Sequence, residues 1–152
     1  MKASVAFIFF MLFLAGLAFV NLRGMQDQSG STDATLEELT SSAWRPQRLG
    51  EMRLDDTTEM YVQFEADGQV SGNAGCNRFF GSYELLDEKL AIGPLGATRM
   101  ACPEPAMSFE ITLLELLQSS TTAVTANERL ALRNNQGDTI VRLVAIERKA
   151  DE

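Results

Sequence analysis

Few residues of this chain are of types that could do chemistry: Cys76 and Cys102, with Arg78 and Arg99 near them, and the acidic run Asp55, Asp56 and Glu59. There is no histidine. That removes Ser-His-Asp triads, Cys-His pairs and imidazole metal ligands together. The two cysteines admit three readings: a structural disulfide, two buried free thiols, or a redox-active pair. Arg78 and Arg99 would lower a thiol pKa, but a Cys-x-x-Cys spacing is missing and no imidazole base is present. An even count of two in an exported domain favours the disulfide. Such a bond would close a loop of about 26 residues and stabilise the fold by roughly 3–4 kcal/mol.

If the cysteines are bonded, Arg78 and Arg99 can converge. They then either pair with carboxylates such as Glu84 or Glu104, the ordinary outcome, or form an anion- or carboxylate-recognition spot. Asn77 is expected to bond local backbone or to adopt a left-handed conformation. Gly72, Gly75 and Gly81 read as turn or bulge glycines. A strand follows them, whereas a phosphate-cradling loop needs a helix there. Asp55, Asp56 and Glu59 do not match the Asp-x-Asp-x-Asp-Gly calcium spacing and read as a solvated loop. They also lack the aromatic cleft that would accompany a glycosidase carboxylate pair. No metal ligand set, cofactor site or catalytic group emerges.

The elements that position these residues begin after a hydrophobic N-terminus. Ala3 to Val20 is apolar or small throughout except for Ser4, with Lys2 before it and Arg23 after it. The run is just long enough for a membrane-spanning helix. A cleaved secretory signal is the second reading, with Gly16-Leu17-Ala18 at a plausible cleavage spacing. Either one exports the remainder. Residues 21–40 read as a polar linker, in which Leu36-Glu37-Glu38-Leu39 would form a short helical turn. A tether over 21–35 has a reach of roughly 20 Å, which keeps an anchored domain close to the bilayer. The net charge of −8 argues against nucleic acid as a partner.

From Trp44 onward the chain shows strand patterning. Met60, Val62 and Phe64 alternate with Tyr61 and Gln63. Asp67-Gly68 is a two-residue hairpin signal leading to Val70-Ser71-Gly72. Ser82–Leu86 and Lys89–Ile92 flank a Leu-Asp-Glu turn, and Ala123–Thr125 and Leu130–Arg133 follow. The turn residues 134–138 precede Thr139–Glu147, the longest strand candidate. It is apolar on both faces, as in a strand covered on both sides or one in a closed sheet. One helix is expected after Pro103 and Pro105, which suit its first turn. Phe109, Leu113, Leu116 and Leu117 form its main apolar row, and Met107, Ile111 and Leu114 a second. Glu110, Glu115 and Gln118 are polar. The class is α+β: a curved, barrel-like antiparallel sheet of about seven or eight strands packed on one main helix.

The blocks GCNRFFGSY and LAIGPLGATRMACPE, followed by a Phe/Leu-rich helix and preceded by Trp44, resemble the META domain, the family of HslJ-like heat-shock proteins. The likeness covers residues 41–148, leaving 149–152 as a tail. It implies a single α+β domain in a bacterial envelope setting, with links to heat shock, to tolerance of an antibiotic and, in parasites, to secretion and virulence. It implies no enzymatic activity. Many members are lipoproteins, but this chain lacks a cysteine for lipidation after its apolar run. The expectation is a non-enzymatic envelope protein, anchored in the inner membrane facing the periplasm, or secreted there if cleaved. It would bind an envelope or secretory protein or support stress tolerance. Its surface would be the rim around Cys76–Tyr83 and Thr98–Cys102: the disulfide Cys76–Cys102 with Asn77, Arg78, Gly81, Tyr83, Thr98, Arg99 and Met100. The rival reading is a small-molecule or lipid carrier, since a curved sheet can enclose a cavity. A thiol oxidoreductase is the third.

Overall fold

The computed structural model describes residues 32–148, so the expectation of an anchor or signal over Ala3–Val20 lies outside the described residues. Among those residues no helix is long and apolar enough to cross a membrane. The strands are β1 (Thr32–Asp33), β2 (Ala43–Leu49), β3 (Met52–Arg53), β4 (Tyr61–Phe64), β5 (Gln69–Asn73) and β6 (Arg78–Leu86). They continue with β7 (Lys89–Ile92), β8 (Gly96–Ala97), β9 (Thr122–Ala126), β10 (Arg129–Arg133) and β11 (Thr139–Ile146). The helices are α1 (Leu36–Ser41) and α2 (Ala106–Gln118).

Strand order is β9-β10-β11-β2-β4-β5-β6-β7, and β7 pairs back to β9 at Lys89 and Thr122, so eight antiparallel strands close into a barrel. Closure follows from the alternating pattern. Val62 and Phe64, Leu130 and Leu132, and Val141 and Leu143 send one side of each strand inward and are buried. An eight-stranded barrel has an interior just wide enough for side chains to fill it. Phe64, Phe79, Met60 and several leucines occupy it, all fully buried. β1, β3 and β8 pair outside this ring with β9, β2 and β6.

Helix α2 packs on β2, β11 and β7, strands from different sides of the barrel. Its inward row is Glu110, Leu113 and Leu117, all buried, whereas Ile111 is exposed. The row predicted from sequence held Leu113 and Leu117 but not Glu110, a charged residue whose i, i+3, i+7 spacing nevertheless places it on that face. Pro105 sits at the N-cap rather than inside the first turn. The Glu104 carboxyl accepts from Ser108 N and Oγ in place of a side-chain cap.

Local differences have local causes. β1 lies in the stretch read as linker, and the short helical turn expected at Leu36-Glu37-Glu38-Leu39 is present as the start of α1. The Thr35–Glu38 capping box closes the start of α1, and Leu39 is fully buried. The β4–β5 turn is not the two-residue type I′ form. Only Gly68 has positive φ, and Glu65 N donates to Gln69 O, which leaves a three-residue loop. The two-residue turn with both φ values positive is Asn127-Glu128, between β9 and β10. The longest strand is β6, not the Thr139–Glu147 segment. β6 pairs along one edge with both β8 and β7, and Gly81 hides its continuity from an apolar-periodicity reading.

Candidate binding rim

The cysteines predicted to form a staple do so. Cys76 and Cys102 are disulfide-bonded with Cα atoms 5.9 Å apart. The bond fastens the segment leading into α2 to the turn between β5 and β6. That turn requires Gly75, whose φ of 107° is closed to L side chains without strain. Gly75 N also donates to Asn73 Oδ1 at 2.8 Å.

Asn77 does more than the local bonding expected of it. Its side chain is buried, and both amide atoms, Oδ1 and Nδ2, have partners far away in sequence. Oδ1 accepts from Thr98 Oγ1 at 2.7 Å and from Met100 N at 2.8 Å. Nδ2 donates to Met100 O at 3.1 Å and to Glu110 Oε2 at 2.9 Å. Asn77 N donates to the same Oε2 at 2.9 Å, and its carbonyl accepts from Ala74 N. φ at Asn77 is not positive, so a left-handed conformation is not its role. Asparagine has two donors and two acceptors in its amide, and this clip uses both kinds. Glu110 is the partner that sequence reasoning missed. Its signal was its position on the buried face of α2.

The register of the rim follows. Phe79 pairs Ala97, Phe80 pairs Gly96, and Thr98 N donates to Arg78 O at 3.0 Å. Arg78 and Arg99 are thereby brought to neighbouring backbone positions, and both are exposed. Glu104, one of the carboxylates expected to pair with them, is engaged by Ser108. Gly81 lies within β6 rather than in a turn. A Cβ there would come within 2.6 Å of Leu95 Cδ2 and 3.0 Å of Pro94 O, so the β7–β8 segment seats directly on it. Gly72 likewise lies inside β5, with no register shift against β6.

Tyr83 is buried and belongs to the support. Its hydroxyl donates to Glu65 O at 2.7 Å, and its ring meets Phe64 edge-on at 5.0 Å. Burial, then the charges of Asp67 and Glu65, raise its pKa above the ordinary value of 10.0. Thr98, Arg99 and Met100 are exposed, and Met100 at 57% stands on the same rim as Phe80 at 62%. The acidic residues fall elsewhere. Asp55 accepts from Thr57 N and Oγ1, which lowers its pKa. Asp56 pairs with Arg45 at 3.1 Å. Among the described residues no group of three or more acidic or thiol ligands could hold a metal.

A family model for the META domain matches residues 37–147. The chain belongs to the META domain family. Three solved structures share the fold of this META domain. An NMR structure of a protein from Burkholderia xenovorans is 23% identical, with a TM-score of 0.62, and the match covers 83% of this chain and 97% of that one. A second NMR structure is 22% identical, with a TM-score of 0.61 and coverage of 74% and 95%. The crystal structure of a DUF4847 family protein from Bacteroides vulgatus is 15% identical, with a TM-score of 0.56 and coverage of 76% and 100%. At these identities the likeness carries the fold alone. No curated protein matches the chain.

Proposed function

We propose that this META protein is a non-enzymatic binding protein of the cell envelope, held near the membrane, whose rim docks a protein partner in support of stress tolerance. The observation that carries the reading is Phe80 and Met100. Both are large, apolar and more than half exposed, yet each sits on backbone pinned from below. Phe80 is paired to Gly96, and Met100 is held through both N and O by Asn77. Pre-organised apolar anchors of this kind lower the cost of ordering on binding.

Three further points support the reading. The groups with chemical potential are committed to structure: both thiols in the disulfide, Glu110 to Asn77, and Tyr83 to Glu65. Disulfides persist chiefly in oxidising compartments, which agrees with export directed by Ala3–Val20. The barrel interior is occupied by Phe64, Phe79, Met60 and leucines, which speaks against the carrier reading.

The test uses a host strain lacking the chain, complemented with the full-length protein or with the Phe80→Ser, Met100→Ser variant. Protease accessibility reports export, and survival under envelope stress reports function. The expected result is that wild type restores survival and the exported, folded variant does not. Full rescue by the variant would remove the rim from the function. A protein found wholly in the cytoplasm would remove the envelope role.

A further inference from the structure

The rim differs in charge from the rest of the molecule. The chain carries 21 acidic and 13 basic residues, yet segments 68–83 and 89–103, which build the rim, contain no aspartate or glutamate. They do contain Arg78 and Arg99, while Lys89 lies at the far end of β6, opposite Leu86. The outward row of β6 begins Arg78, Phe80, Ser82, and its cross-strand neighbours on β5 are Asn73, Ser71 and Gln69, all polar and uncharged. On the other side the Phe80 ring lies over Gly96, where a Cβ would come within 2.9 Å of the ring. Thr98, Arg99, Met100 and Ala101 continue the exposed surface. Acidic groups border it. Asp67 accepts from Gln69 N and Nε2, Glu84 lies further along β6, and Asp56, Glu59 and Glu147 line an open cleft of about 690 Å³ shared with Arg45 and Arg78. Beneath the surface, Glu110 is buried against Asn77.

We infer that this rim docks an acidic segment of a partner protein, with carboxylates meeting Arg78 and Arg99 and apolar side chains lying against Phe80 and Met100. The inference rests on the binding-protein reading above and names the partner's chemistry. Aromatic residues, Met and Arg are the types enriched at interface cores. Rim segments that carry arginines and no acidic residue of their own favour a negatively charged partner. The net charge of −8 opposes the long-range approach of an acidic segment, so selection for it has to come from the local field at Arg78 and Arg99.

The experiment places a photo-crosslinking phenylalanine analogue at position 80 of the full-length chain in its own host, and identifies the adduct by mass spectrometry. The expected adduct is a protein peptide rich in Asp and Glu. Its yield should fall roughly fivefold or more with Arg78→Glu, Arg99→Glu, and stay near wild type with both arginines changed to Lys. An unshifted melting temperature and an intact disulfide confirm folding. If the double reversal does not fold, Arg99→Glu alone decides, since Arg99 makes no ion pair among the described residues. A neutral or basic adduct peptide, a second copy of this chain, or a yield indifferent to charge reversal overturns the acidic partner while leaving the binding reading intact, and a lipid adduct overturns both. Loss of any adduct, together with full rescue by the Phe80→Ser, Met100→Ser variant, overturns both.

Discussion

Two segments of similar length leave the barrel, and they are held in opposite ways. The stretch between β7 and α2, residues 93–105, is fastened by the Cys76–Cys102 disulfide and by the buried clip of Asn77 and Glu110. The stretch between β2 and β4, residues 50–60, has the short pairing of β3 with β2 and re-enters the core at Met60, and between them it is held by ion pairs that face solvent. These are Arg45–Asp56, with Asp56 77% exposed, and Arg48–Glu51, with Glu51 98% exposed. Exposed pairs contribute ~0–1 kcal/mol, whereas buried, fully used hydrogen bonds are costly to break. The difference teaches where this fold invests in rigidity: under the surface that presents Phe80 and Met100, not under its acidic loop.

The largest break in this contrast should come from Cys102→Ser. Losing a 26-residue closed loop is expected to cost roughly 3–4 kcal/mol, or a fall in melting temperature of about 10–20 °C by calorimetry. Next comes Asn77→Ala. It leaves Glu110 buried with only the residue-77 backbone N–H as donor and frees both bonds to Met100. Urea unfolding should show a loss of about 2–3 kcal/mol.

Tyr83→Phe is intermediate, because it removes one bond at the β4–β5 turn beside the rim. The expected cost is about 1 kcal/mol. It also changes the alkaline limb. The folded pKa of Tyr83 is raised above 10.0, first by burial and then by Asp67 and Glu65. The stability linked to its neutral form is therefore complete below pH ~10 and is lost as pH rises through the folded value. The Phe variant should lack this part of the alkaline loss in pH-dependent thermal melts. Smallest of all is Asp56→Ala. Removing an exposed ion pair should change stability by no more than about 0.5 kcal/mol in the same urea assay. A cost matching Asn77→Ala would erase the contrast.

Much of this was legible in the residues themselves. Alternation at Met60, Val62 and Phe64, and at Val141 and Leu143, marked buried strand faces, and the cysteines and arginines marked the rim. What was hidden had physical reasons. Glycine has no side chain to keep the period, so Gly81 cut β6 short on paper. The Asn127-Glu128 turn lacks glycine, although both residues adopt positive φ. Glu110 looked like a solvent-facing polar residue because its partner, Asn77, lies 33 positions away. A side chain satisfied across such a distance leaves only its helical position as a trace.

The most direct measurement of the central claim, that the rim is a rigid platform, is amide hydrogen exchange on the oxidised protein. Thr98 N donates to Arg78 O and Met100 N to Asn77 Oδ1. Both amides should exchange roughly 100-fold or more slowly than those of Thr57 and Thr58 in the acidic loop. Asn77→Ala should abolish the protection at Met100. Exchange at Thr98 and Met100 as fast as at Thr57 would contradict the account.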